Sequence, residues 1–230
     1  MWTGVLVASW AMLLAGQACA QDPRDPIEGF NRAVFAFNEG LDTFLIRPLA
    51  QGYDAVLPGP VRTGVGNFYN NIGDLFVSVN SLLQGKPGDA VGDASRFVFN
   101  STFGIAGIFD VASEMGIEKH DEDFGQTLGR WGAGPGPYLV LPVYGPRNVR
   151  DAAGLVLDAS TDPVGGIDHV PTRNTLTALR LVNQRANLLP ADKIIEEAAL
   201  DKYSYLRDAY LQRRQSLVFD GRPPREPEAE

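Results

Sequence analysis

Residues 25–45 of the 230-residue chain read DPIEGFNRAVFAFNEGLDTFL. Asp25 can cap a helix, Pro26 suits its first position, and Glu28 three residues on completes a capping-box pattern. Ile27, Phe30, Val34, Phe37, Leu41 and Leu45 then recur at helical spacing. Glu28, Asn31, Arg32, Asn38, Glu39 and Asp42 fall on the other side. The pattern predicts an amphipathic helix with one apolar and one polar side. Phe35 projects from the middle of the polar side, either as a tertiary contact or as a greasy contact with lipid or a partner.

Downstream, Pro48 and Pro58-Gly-Pro60 are expected to break the chain. Val61, Val65, Phe68 and Ile72 suggest a second helix. Asp74–Gln84 is nearly all apolar around Asn80 and reads either as a core helix or as a lipid or partner contact. A turn at Gly85–Gly88 precedes a helix over Asp89–Phe103. Gly104–Asp121 reads as a weakly structured connection with one short helix near Phe109–Met115. Helices are expected over Val149–Ala159, from a capping Thr172 to Leu189, and from Pro190 to about Val218. Residues 219–230 are polar and proline-rich, and disorder is expected there. The class is mostly α, in one domain over residues 21–218.

Leu128–Asp151 (LGRWGAGPGPYLVLPVYGPRNVRD) resembles a phosphate loop only superficially. Two of the six residues Gly132–Pro137 are prolines, which have no N–H to offer an anion, and no Gly-Lys-Ser/Thr follows. Trp131, Tyr138 and Tyr144 are amphipathic rings suited to a membrane–water boundary, and Tyr138–Val143 equally reads as a buried strand or hairpin. Asp123-Phe-Gly125 lacks the other kinase motifs. No Gly-x-Ser-x-Gly elbow marks an acyl hydrolase, and His120 and His169 have no second ligand at metal spacing. No catalytic residue, metal ligand or cofactor is expected. A net charge of −8, with no basic patch, argues against nucleic acid.

Val5–Gly16 is an uncharged, largely apolar run of twelve residues, too short to span a bilayer and suited to a secretory leader in residues 1–20. Ala18-Cys19-Ala20 permits cleavage after Ala20, whereas Gly16-Gln-Ala-Cys19 is a degenerate lipobox that would leave Cys19 as a lipidated N-terminus. Cys19 is the only cysteine, so no disulfide framework exists.

Several stretches together resemble one family. They are Asp25–Arg32, Phe35-Ala-Phe-Asn38, Gly66-Asn-Phe68, Leu82–Gly85, Arg96-Phe97 with Asn100, Asp123–Gly132, Gly136-Pro-Tyr138 with Leu141-Pro142, Gly145-Pro-Arg147 with Arg150-Asp151, and Arg207–Arg213. The ordered set is similar to the MlaA (VacJ) lipoproteins of Gram-negative outer membranes over residues 23–218; the weak lipobox and short tail depart from it. The resemblance implies a single-domain helical ring, doughnut-like, with a short hairpin-like Gly/Pro-rich loop. It implies a place in the inner leaflet of the outer membrane beside a trimeric porin. It also implies removal of phospholipid misplaced in the outer leaflet, with hand-off to the soluble periplasmic carrier MlaC. Alternatives are a soluble periplasmic lipid-binding protein and a structural envelope lipoprotein. On the family reading, Asn31, Arg32, Phe35, Phe37 and Asn38 belong to the ring wall or lipid channel. Arg32 and Asn38 either fix packing or face headgroups. Phe124, Trp131, Tyr138 and Tyr144 belong to a loop at the channel mouth, and Arg147, Arg150 and Asp151 form either a structural ion-pair network or a phosphate site.

Overall fold

The computed structural model describes residues 22–224; the expected leader, Cys19 and the last six residues lie outside the described residues. Helix α1 (Glu28–Leu41) runs through a π-helical turn (Asp42–Ile46) directly into α2 (Arg47–Val56). The break expected at Pro48 is therefore absent. In the wide turn the Arg47 N–H bonds five residues back to Asp42, and Pro48 falls in the first turn of α2, where a missing donor is tolerated. Leu57 is extended and Pro58 redirects the chain into the 25-residue α3 (Gly59–Leu83).

Next come α4 (Pro87–Thr102), α5 (Val111–Glu114) and α6 (Phe124–Arg130). The connection around α5 is not slack. The buried Arg96 guanidinium donates to both Asp110 oxygens at 2.9 Å and to the Ile117 carbonyl at 2.7 Å. Strands β1 (Tyr138–Leu141) and β2 (Gly145–Asn148) form an antiparallel hairpin, with Tyr138 opposite Asn148 and Leu139 opposite Arg147. Asn148 caps α7 (Val149–Thr161), and α8 (Val170–Ala198) and α9 (Lys202–Val218) complete the chain. Pro190, expected to start the last helix, lies inside α8. Proline forfeits one helical bond, and the packing of α8 along α2 and α3 carries the helix past it. The break falls instead before Asp201, whose side chain caps α9. Phe219–Gly221 form a turn, and Asp220 pairs with Lys86.

The packing runs in a circuit. α1 meets β1, β2 meets α9, α9 meets α6, α6 meets α3, α3 meets α8, and α8 meets α2, which is continuous with α1. α7 lies across α6 and the hairpin, and α4 lies along α3. Ion pairs Arg32–Asp201, Arg24–Asp208 and Lys202–Glu39 fasten the first half of α9 to α1 and to the segment before it. A small cluster of Tyr138, Val140 and Tyr203, flanked by Val34, Phe35, Tyr210 and Leu211, sits at that closure.

Burial is inverted relative to a soluble protein. Among the described residues eighteen polar or charged side chains are buried, against ten hydrophobic ones. On α1 most of the apolar stripe points outward: Phe30 is 59% and Phe37 58% exposed, and Phe44 beyond them 86%. Asn31 on the opposite side is fully buried, and Phe35 packs edge-on to Tyr203 with ring centroids 5.5 Å apart. Periodicity gave the helix but not which face meets protein. In α3 the same holds, with Asp74, Asn80 and Ser81 buried while Leu75, Val79, Leu82 and Leu83 are exposed. Among the described residues no helix is long and apolar enough to cross a membrane.

Helices α6 and α7 cross at two glycines. A Cβ on Gly154 would lie 2.4 Å from the Gly125 nitrogen, a backbone atom that cannot swing aside. Gly154→Ala is therefore expected to lower stability by about 2–3 kcal/mol, the upper part of the range for overpacking. Gly73→Ala in α3 has open space around it and should gain roughly 0.5–1 kcal/mol from helix propensity. Thermal unfolding of both variants in one detergent checks the contrast.

Candidate functional site

The hairpin is held by two side chains of α1. The Asn31 amide nitrogen donates to the Tyr138 carbonyl at 3.0 Å, and its oxygen accepts from the Val140 N–H at 2.9 Å. Asn38 repeats the pattern on the Leu141 carbonyl and the Val143 N–H, at 3.0 and 2.8 Å. Each carboxamide thus pairs with β1 as a neighbouring strand's peptide would. The spacing makes this possible: seven helical residues rise about 10.5 Å, and three strand residues span about 10 Å. Asn38 also secures Val143, a β-branched residue with φ of 68° at the hairpin tip.

Each residue singled out from the sequence now has a place. Asn31 and Asn38 bind the hairpin backbone. The Arg32 Nη2 pairs with Asp201 at 2.6 Å and its Nε with Glu28 at 2.7 Å, the guanidinium lying 4.3 Å above the Tyr203 ring centre. Phe35 is in the closure cluster and Phe37 points outward. Phe124 begins α6 and packs edge-on to Trp131, whose indole N–H donates to the Leu83 carbonyl at 3.0 Å. Tyr144 is exposed beside Val143, whereas Tyr138 is buried against Tyr203 and Tyr210. Phe124–Gly145 is thus a helix, a turn and a strand rather than one loop. Asp25, expected to cap α1, instead receives bonds from Asn31 and the Tyr203 hydroxyl, and Ile27 takes the N-cap position.

Two cavities complete the picture. An open apolar cleft of about 750 Å³ lies between the N-terminal half of α3, the Ile108–Phe109 corner and α8 at Leu176 and Leu179. Gly64 lets that corner approach, since a Cβ there would meet the Ile108 side chain at 3.0 Å. The volume falls within the range of about 300–1,000 Å³ typical of ligand pockets. The sequence hid it because three distant segments supply its walls.

The second cavity, about 210 Å³ and polar, lies where α6, α7, α9 and β2 meet. Arg214 bridges Asp123 (2.6 Å from Nη1) and Asp151 (3.2 Å from Nη2), and Tyr210 donates to Asp151 at 2.5 Å. Burial alone would push the Asp123 carboxyl up; the Arg214 guanidinium overrides it and holds it below the usual carboxylate range. Asp158, on α7, goes the other way. Burial, then the neighbouring Asp123 charge, push it up to about 6. Arg150 joins the network through Asp151 at 2.9 Å, whereas Arg147, expected in that network, has no carboxylate partner among the described residues. No cluster of metal-binding type occurs among the described residues.

Comparison with known proteins places this geometry. The family model described as MlaA lipoprotein matches residues 23–217. The intermembrane phospholipid transport system lipoprotein MlaA of Escherichia coli is 34% identical over 216 residues, covering 91% of this chain and 85% of that protein. Its Haemophilus influenzae namesake is 33% identical, covering 86% and 80%. An uncharacterized protein of Rickettsia bellii is 36% identical, covering 84% and 76%. A solved chain described under "Structural basis for maintenance of bacterial outer membrane lipid asymmetry" superposes with a TM-score of 0.74 at 32% identity, covering 84% of this chain and 98% of that one.

Replacing Asn31 by Ala leaves a buried N–H and a buried carbonyl unpaired and is expected to cost about 2–5 kcal/mol, whereas Asn38→Ala, nearer solvent, costs about 1–2 kcal/mol. Hydrogen exchange locates the damage: amide protection at Val140 should fall in the first variant and at Val143 in the second.

Proposed function

The chain belongs to the MlaA lipoprotein family, and from that membership we propose that it is the outer-membrane component of intermembrane phospholipid transport. On this reading it takes up phospholipid misplaced in the outer leaflet, lets it pass along an amphipathic channel, and releases it on the periplasmic side to a soluble carrier of the MlaC type. It thereby maintains lipid asymmetry without catalysing a reaction. A trimeric porin beside it would hold the collar in the membrane. A leader in residues 1–20 would direct export, and an acylated Cys19 would add a tether.

The observation that supports this reading is the inverted burial. Exposed Phe30, Phe37, Phe44 and Leu49 line the outside of α1 and α2 while amides and ion pairs fill the contacts between elements. In water such a surface is costly; against acyl chains it is neutral, and polar contacts between helices supply cohesion that the hydrophobic effect does not. The task also needs a protein with these properties. Carrying a two-chain phospholipid through water exposes about 30 methylenes at ~0.8 kcal/mol each, roughly 25 kcal/mol. A headgroup crossing hydrocarbon meets a comparable barrier from its buried charge. Apolar and polar surfaces on one scaffold lower both.

Loss of the protein should raise outer-leaflet phospholipid, read by labelling intact cells with a reagent that cannot cross the membrane. Recovery of the protein only in the soluble periplasmic fraction, with an unchanged outer leaflet, would overturn the proposal. Val61→Trp, which fills the apolar cleft with an indole, should slow transfer of fluorescent phospholipid from vesicles at least about fivefold while leaving thermal stability intact.

A further inference from the structure

The polar cavity holds two charges that its own network leaves over. Arg214 is taken by Asp123 and Asp151, and Arg213 pairs with Asp121 at 3.0 Å. Among the described residues Arg147 donates only to the adjacent Pro146 carbonyl, at 3.0 Å, and the Asp158 carboxylate accepts only the Phe124 N–H, at 3.3 Å to each oxygen. Among the described residues neither has an oppositely charged partner within salt-bridge distance, yet both line the same cavity. A space of 210 Å³ holds several waters and so admits a small polar group. One guanidinium and one carboxylate left over in one cavity match a ligand carrying a phosphate and an ammonium.

We propose that this cavity binds the zwitterionic phosphate–ammonium headgroup of a phosphatidylethanolamine-type lipid, with Arg147 on the phosphate and Asp158 on the ammonium. The inference rests on the phospholipid-transport reading and adds to it a headgroup preference. Arg147 is a strong phosphate partner because its planar fork presents paired donors. Asp158 suits a cation because its surroundings disfavour its charge when the cavity holds no ligand; an ammonium relieves that penalty. The groups facing Asp158 are Asp123 at the start of α6, Arg214 on α9 and Arg147 on β2. Burial and the Asp123 charge raise the carboxyl, and the Phe124 N–H and the two arginines oppose them, with the net direction upward. The ammonium contact is therefore present above about pH 6 and fades as Asp158 protonates below it.

The test uses the whole protein in detergent and titration calorimetry with dihexanoyl phosphatidylethanolamine, dihexanoyl phosphatidylglycerol and free phosphoethanolamine. The ethanolamine lipid should bind about tenfold tighter than the glycerol lipid, the size of one charge-assisted contact. Asp158→Asn keeps an acceptor for the Phe124 N–H and should erase that preference without weakening the glycerol lipid. Arg147→Gln should weaken both lipids. In the unaltered protein the preference should shrink as pH falls through about 6. Equal affinity for the two lipids, or a preference that survives Asp158→Asn in a folded protein, overturns the site while leaving phospholipid transport standing. Binding of free phosphoethanolamine without either lipid overturns the headgroup assignment. Failure of both lipids to bind, joined to failed transfer from vesicles, overturns the transport reading as well.

Discussion

Two carboxamides on one helix take the place of a β-strand, and the circuit closes through them. Asn31 and Asn38 meet four backbone groups of the segment Tyr138–Val143, a strand edge that would otherwise stand unpaired against α1. Their leverage comes from commensurate repeats: two helical turns and three strand residues cover nearly the same length. The second strand then inherits its position. Arg147 stands opposite Leu139, between the two residues that Asn31 binds, and Asn148 at the strand's end caps α7. From α7, Asp151 reaches Tyr210 and Arg214 on α9, and α9 returns to α1 through Tyr203 and Asp25. A helix near the start of the chain and another near its end are thus joined by directional polar bonds rather than by a large apolar core.

That choice of glue fits the distribution of surfaces. A soluble domain gains most of its cohesion by removing apolar area from water. Here large apolar side chains face outward along α1 to α4, and the contacts between elements carry Arg96, Asn80, Asp74 and Gln84 instead. Where the surrounding medium is hydrocarbon, helices have no hydrophobic reason to associate, and hydrogen bonds and close glycine contacts decide the packing. The Gly125–Gly154 crossing between α6 and α7 is such a contact.

Much of this was legible in the sequence, and the failures have separate physical causes. Element type followed from spacing: α1, α3, α4 and α7 lie close to where periodicity put them, and the strand over Tyr138–Leu141 was one of two open readings of its stretch. The family resemblance fixed the ring before any coordinates. Spacing divided α1 into an apolar and a polar side but did not say which meets protein, because the usual rule, apolar residues inward, assumes water outside. Asn31 and Asn38 were visible as motif residues, but their partners lie about a hundred positions away, and a helix contains no sign of the strand it will bind. Pro48 and Pro190 were overread as boundaries because the bond a proline removes and the clash of its ring with the preceding turn are offset here, by a π turn before Pro48 and by neighbouring helices around Pro190. The apolar cleft and the polar cavity left no linear trace, since each gathers its walls from three or more segments.

The two cavities lie on different arcs of the circuit, and the separation bears on mechanism. The apolar cleft belongs to the α3–α8 arc, and the polar cavity belongs to the arc where β2, α9, α6 and α7 meet. A phospholipid carries both chemistries on one molecule, so on the proposed path a ring with apolar and polar surfaces on different arcs would orient it. Neither surface is closed: the cleft is open, and the polar cavity satisfies most of its own charges. On the proposed path that moderation matters, because a site that held its lipid tightly would stop the flow at the protein. Differential rather than maximal affinity is what lets an amphiphile enter from one leaflet and leave toward a carrier.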